Sequence, residues 1–190
     1  MKPVPSVEAA LAQLAKEDSQ PKLRVQFKEG NEVTPPGVKL SKFATSTTPA
    51  LFLSTSLIKP HPGDKYLAVC LDLDAPFPSF SFLGPIAHWI ELDLVAVGSD
   101  VEGFTPIETK NPSVIPYAGP GPPPPSAPHR YVFLVWEQPE NITTETGRKA
   151  LSLPETPGVT SRMRWDQPAF EKALGLGEPL AVNYFTASSE

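Results

Sequence analysis

Hydrophobic and polar positions alternate over short stretches along most of the chain, which is the period of half-buried β-strands rather than of helices. Leu23-Arg24-Val25-Gln26-Phe27 is the first clean case. Val38 to Leu40 and Ala50 to Leu53 are weaker ones, separated by a Ser/Thr-rich loop from Ser41 to Pro49. Tyr66 to Leu73 is different, because its apolar run is almost unbroken, which predicts a strand covered on both faces. Ala87 to Val97 alternates again, with His88, Ile90, Leu92 and Leu94 expected on one face and Trp89, Glu91, Asp93 and Val95 on the other. Arg130 to Gln138 and Leu180 to Phe185 complete the predicted strands. Helical spacing is found only near the two ends. Ser6 to Glu17 places Leu11, Leu14 and Ala15 on one face, with Ser6 as N-cap and Glu8 in the first turn, and Asp18-Ser19-Gln20-Pro21 ends it. Asp166 caps a short helix that runs to Leu174 and stops at Gly175.

Composition agrees with a mainly β chain. Of 190 residues, 25 are proline, roughly 13% against a usual ~5%, and helix interiors do not tolerate that density. The predicted organisation is an N-terminal helical segment over residues 1–19 followed by a single β domain over 20–190. There is one cysteine, so no internal disulfide framework exists; Cys70 sits inside an apolar strand and reads as a small core residue. The net charge of -5 argues against nucleic acid as the main partner, since phosphate neutralisation needs a cationic surface. No apolar run approaches the length of a membrane span, and the charged N-terminus lacks a signal-type apolar core. A cytoplasmic location is the expectation.

Three segments carry candidate chemistry. In Asp72-Leu73-Asp74-Ala75-Pro76, two carboxylates leave a buried strand just before a turn; alone, this is also an ordinary strand end with turn-forming aspartates. His88 opens a strand after a Gly-Pro turn, where a lone histidine is ordinarily a satisfied core residue. Tyr117-Ala118-Gly119-Pro120-Gly121-Pro122-Pro123 precedes His129-Arg130-Tyr131, and its glycines let backbone N–H groups approach a ligand, although Pro122 to Pro125 also suits a polyproline spacer. No Gly-x-Ser-x-Gly elbow or Walker loop is present. Neither the spacing of Asp72, Asp74, His88 and His129 nor any His/Cys cluster argues for a metal, and no cofactor is called for. Arg148-Lys149 and Arg162-Met163-Arg164 read as solvated surface.

Taken together, Asp-x-Asp-Ala-Pro, a following strand with His, Gly-x-Gly-Pro-Pro and His-Arg-Tyr-Val-Phe resemble the phosphatidylethanolamine-binding protein family over about residues 20 to 187. The N-terminal helix and Val182-Asn183-Tyr184-Phe185 resemble its fungal branch. The resemblance implies a two-sheet β fold with a few peripheral helices and a small anion pocket lined by Asp72, Ala75, Pro76, His88, Gly119, Gly121, Pro122, His129, Tyr131 and Tyr184, with a cis Ala75–Pro76 bond. It implies phosphoryl or carboxylate ligands, lipid headgroups included, and a protease or kinase as partner. On that reading the carboxylates hold His88, His129 and Arg130 as donors, and loop N–H groups add positive potential. An alternative is a biosynthetic-cluster enzyme or helper acting on an anionic polyketide such as a maleic-anhydride monomer, with His88, His129 and Asp72 as the catalytic candidates. Two departures stand out. Leu73 replaces the family's usual proline, and Ile86 stands where an aromatic is common. With Phe77, Phe80 and Phe82 nearby, they make the rim unusually apolar.

Overall fold

The computed structural model describes residues 2–16, 21–58 and 63–189. Its elements in chain order are α1 (Pro5–Leu14), β1 (Leu23–Gln26), β2 (Ala50–Ser54), β3 (Tyr66–Asp72), β4 (Ile86–Ala96), β5 (Phe104–Glu108), β6 (His129–Glu137), α2 (Thr144–Ala150), α3 (Val159–Arg162), α4 (Gln167–Leu174) and β7 (Ala181–Ala187). The strands follow one another in the order β1-β2-β5-β4-β3-β6-β7, each pair antiparallel. β4 pairs with β3 over most of its length and passes to β5 only at Val95 and Ala96. The result is two layers that share one strand.

Two apolar clusters explain this arrangement. One fills the space between the layers, with Leu23, Val25, Leu51, Leu53 and Ile107 on one side and Cys70, Trp89, Tyr131, Phe133 and Phe185 on the other. The second lies on the outer face of the β3–β6 layer, where Leu67, Val69, Leu71, Val132 and Leu134 meet Val7 of α1 and Phe170 and Leu174 of α4. All seven residues of β3 are buried, because alternate side chains feed alternate clusters. The Cys70 thiol lies in the inter-layer core, where burial raises its pKa well above the usual range, so it packs rather than reacts.

β4 departs from simple alternation at two places. Cys70 pairs with Trp89 while Leu71 pairs with Ala87, which leaves His88 as an extra residue. A second extra residue falls between Glu91 and Leu94, where Asp93 has φ 58°. Each bulge switches the face that follows it. Ile90 and Leu92 therefore share the outer cluster, whereas Leu94 turns to the inter-layer cluster with Trp89. The expected common face of His88, Ile90, Leu92 and Leu94 does not form.

Asp93 is compensated by a dense set of donors. Its Oδ1 accepts from Lys65 Nζ and Gln138 Nε2, and its Oδ2 accepts from Asn111 Nδ2 and from the Thr144 N–H and hydroxyl, all at 2.8–3.0 Å. These bonds hold its carboxyl well below the usual carboxylate range despite the opposing effect of burial.

Other expectations need adjustment at their edges. α1 starts at Pro5 with Val4 as N-cap, and Ser6 donates to Glu171 Oε1 rather than capping. It ends at Leu14 with Ala15 as C-cap, short of the expected Glu17, and residues 17–20 lie outside the described residues. Val38 to Leu40 forms only a single parallel bridge, from Lys39 to Thr186. The Asp166 cap and the left-handed Gly175 of α4 are as the sequence predicts.

Candidate functional site

β3 ends at Asp72, and the chain then turns through Asp74, Ala75 and Pro76. The turn is fixed from within: Asp72 Oδ1 accepts from the Asp74 N–H at 2.8 Å, and the Ala75–Pro76 bond is cis. Register places Asp72 beside Tyr131 on β6, so His129, two residues earlier on the same strand face, comes within reach. His129 Nδ1 lies 2.8 Å from Asp72 Oδ2, and both groups are buried. His129 Nε2 faces the Pro76 carbonyl at 3.1 Å and the Ser126 hydroxyl at 2.8 Å. A carboxylate on one nitrogen and a carbonyl on the other are both acceptors, so the contacts fit a ring that carries both protons. Burial alone depresses the imidazole pKa, but the Asp72 bond and charge outweigh it and the net shift is upward.

Asp74 holds a different cation. Its carboxylate takes the Arg130 N–H and a two-pronged guanidinium contact, with Nε at 2.8 Å and Nη2 at 2.7 Å. Burial pushes the Asp74 carboxyl up and the Arg130 contacts pull it down by more. Of the three donors expected on the carboxylates, His129 is held by Asp72 and Arg130 by Asp74, whereas His88 is not held by either.

His88 is held by backbone. Its Nδ1 lies 2.7 Å from the Ala118 carbonyl, and the Ala118 N–H donates back to the His88 carbonyl at 2.8 Å. A carbonyl partner fixes Nδ1 as the donor and leaves Nε2 as a bare acceptor. Burial is the largest influence on His88 and lowers its pKa, with the charges of Arg162 and His129 adding to it. One imidazole of this cluster is therefore biased toward the cation and the other toward the neutral form.

Tyr131 lies between them. Its ring meets His88 edge-on at 5.1 Å and stacks on Phe185 at 5.2 Å. Its hydroxyl is buried and finds no partner in full hydrogen-bond geometry, lying near the Gly121 N–H and the Asp72 carboxylate. Burial raises its pKa strongly; the Asp72 charge adds to this, while the Gly121 N–H opposes it.

The glycine-proline loop divides into a fixed part and a free part. Tyr117 Oη donates to the Thr45 carbonyl at 2.8 Å, and a Cβ on Gly119 would lie 2.9 Å from Ser46 Cα. Gly119 thus permits close backbone packing, whereas Gly121 is exposed with no atom within 4 Å of a Cβ placed there. Pro122 and Ala75 are buried. Tyr184 is not brought to this cluster. It alternates to the opposite sheet face, beside the outer cluster, with its hydroxyl against Gly37.

Ser126, the Ala118 carbonyl and Arg162 belong to the site's surroundings but carry no signal in the sequence. Arg162 was expected on a solvated face; instead its Nη1 donates to the carbonyls of Ala87 and His88 at 3.3 and 3.2 Å. Arg148 likewise donates to backbone, at Ser113, Pro154 and Glu155. Two clefts among the described residues lie elsewhere. One of about 840 Å³ runs past Asp64, Lys65, Trp136 and Glu178, and one of about 410 Å³ lies between α1 and β7.

Comparison with known proteins places the chain in a family. Residues 15–185 match the model of the phosphatidylethanolamine-binding protein family, and the chain belongs to that family. It is 32% identical over 130 residues to the phomoidride biosynthesis cluster protein N of Talaromyces stipitatus, covering 68% of this chain and 62% of that one. It is 31% identical over 144 residues to the carboxypeptidase Y inhibitor of Saccharomyces cerevisiae, covering 69% and 63%. The chain thus spans less than two thirds of either relative's own length. Among solved structures, the carboxypeptidase Y inhibitor in complex with its cognate proteinase superposes with a TM-score of 0.71 at 22% identity, covering 97% of this chain and 95% of that one. The phosphatidylethanolamine-binding protein from Plasmodium vivax gives 0.64 at 18%, covering 88% and 85%. At these identities the superpositions speak to fold alone.

Proposed function

We propose that the cluster of Asp72, His88, His129 and Tyr131 binds the phosphoryl or carboxylate group of a small ligand. The observation that carries this reading is the Tyr131 hydroxyl. It is buried and no partner meets it in full hydrogen-bond geometry, with the Asp72 carboxylate and the Gly121 N–H as its polar neighbours. An unmet buried hydroxyl costs about 1–3 kcal/mol, which an anionic oxygen would offset. Behind it, the Asp72-held His129 supplies positive charge. His88 supplies a second donor once its Nε2 takes a proton.

This reading has a definite pH dependence. The His129 charge is lost as pH rises through its raised pKa, and His88 gains its proton only on the acid side of the usual histidine range. Both effects lower anion affinity with rising pH. Titration of phosphate and acetate from pH 5 to pH 8, followed by calorimetry, is expected to show a monotonic loss, and Tyr131→Phe is expected to weaken binding about tenfold at pH 6. A flat profile refutes the reading.

Two physiological settings fit such a site. The carboxypeptidase Y inhibitor relative favours regulation of a protease. Val4 and Val7 are core residues and Lys2 N donates to the Gly84 carbonyl, so deleting residues 1–17 would expose the core. The informative assay is therefore inhibition of carboxypeptidase Y by the intact chain. The phomoidride cluster relative favours a role on an anionic polyketide. That version requires maleic-anhydride conversion by the purified protein that falls in His88→Ala and His129→Ala.

A further inference from the structure

The segment between Pro76 and Ile86 is a loop that both leaves from and returns to the candidate site. At its start the Pro76 carbonyl accepts from His129 Nε2, and two residues past its end His88 sits against Tyr131. The loop is pinned by backbone bonds: Phe80 N to Phe77 O, Gly84 N to Ser81 O, Arg164 N to Leu83 O and Trp165 N to Pro85 O, at 2.8–3.1 Å. It nevertheless presents three phenylalanines to solvent. Phe77 is 36% exposed, Phe80 66% and Phe82 47%, and the Phe80 and Phe82 rings lie 5.0 Å apart. Adjacent aromatic rings held out on a fixed backbone form an exposed apolar patch of the kind that binding surfaces use. Arg162 stands at its foot. Its Nη1 is held on the Ala87 and His88 carbonyls, and it has no acidic partner among the described residues.

We infer that this loop is the outer wall of the anion site and selects ligands that carry an aliphatic chain. The charged head lies at Tyr131 and His88 near Arg162, and the chain lies across Phe80 and Phe82. The inference rests on the anion-site reading and adds the ligand class to it: a soluble amphiphilic anion rather than a compact one. A bilayer is the less fitting occupant. The net charge of -5 opposes an anionic lipid surface, and the loop is bonded down onto Arg164 and Trp165.

Calorimetry at pH 6 with acetate, butanoate, hexanoate and octanoate tests this, with inorganic phosphate as the reference anion. Affinity is expected to rise about two- to fourfold per methylene group, the range between partial and full removal of a methylene from water. In the double variant Phe80→Ser/Phe82→Ser the rise per methylene is expected to fall to about one, with acetate and phosphate binding as in the parent. Acetate and phosphate that bind without any gain along the series overturn the inference while leaving the anion site standing. A gain that persists in the double variant also overturns it, since the chain then lies elsewhere. Absence of any anion binding removes the site and the inference together. Vesicles of phosphatidylcholine and phosphatidylserine provide the last arm: binding that depends on Phe80 and Phe82, with no gain along the soluble series, overturns the inference in favour of a membrane.

Discussion

Replacing Asp72 by asparagine tests the buried pair at the centre of the site with minimal change of shape. The new amide can still accept from the Asp74 N–H, so the turn after β3 is retained. What changes is its other arm, which now presents an N–H to His129 Nδ1 in place of a carboxylate oxygen 2.8 Å away. His129 must then give up the proton on Nδ1 and become neutral. The exchange replaces a charge-assisted hydrogen bond, about 1.5–3 kcal/mol, by a neutral one of roughly half that strength or less. With both groups buried, we expect a loss of about 2 kcal/mol at pH 6, or roughly 4–8 °C in Tm for a chain of this size. The loss is pH-dependent. His129 has a raised pKa in the folded protein, so its contribution is complete below the unfolded value of about 6.5 and disappears as pH rises through the folded value. The gap between parent and Asp72→Asn therefore narrows from pH 6 to pH 9. His88, whose pKa is lowered, acts in the opposite sense in both proteins and largely cancels in the difference. Urea unfolding followed by tryptophan fluorescence at the two pH values measures the gap. An equal loss at pH 6 and pH 9 would falsify the assignment of a charged His129.

Further outcomes follow from the same geometry. Asp93→Ala removes the acceptor of five hydrogen bonds and is expected to cost about 3–5 kcal/mol in urea unfolding at pH 7. Because the Asp93 carboxyl is held low, the parent's advantage is full above the unfolded value and shrinks as pH falls below about 4; an undiminished gap at pH 2 contradicts this. Glu91 is buried with one oxygen unpartnered and its pKa raised by that burial, so Glu91→Gln is expected to stabilise the fold by about 1 kcal/mol at pH 8 and to make no gain at pH 4. Gly119→Ala drives a methyl group into the Ser46 backbone and is expected to cost about 1–3 kcal/mol and to weaken phosphate binding. Unchanged stability and binding would mean that the loop is not seated on residues 45–46.

The elements that could be read from sequence are those in which one physical signal dominates. β3 and β6 are long apolar runs, and α4 carries both its acid cap and its terminal glycine. β5 escaped because Pro106 interrupts it, yet the proline carbonyl still accepts from Val97 N. α2 has almost no apolar residues; it is fixed instead by the reciprocal Thr143–Thr146 cap and by Gly147, which lets Leu92 approach closely. The motif residues of the site were visible as types, but their pairing was not. Asp72 meets a histidine 57 positions away, and the choice between His88 and His129 depends on register. The two β4 bulges, invisible in an alternating pattern, decide which way His88 faces. Strand parity puts Tyr184 on the opposite face of the sheet from Tyr131, within electrostatic reach of Arg130.

The sharing of β4 between the two layers has a further consequence for how the molecule comes apart. Neither layer owns that strand, so neither can detach without tearing bonds that belong to the other. Main-chain amides at Ile90 and Leu92 should then exchange with deuterated solvent only when the whole molecule opens, while the outermost strands fray more readily. His88, at the other end of the strand from the seam, is held in addition by its reciprocal bonds with Ala118.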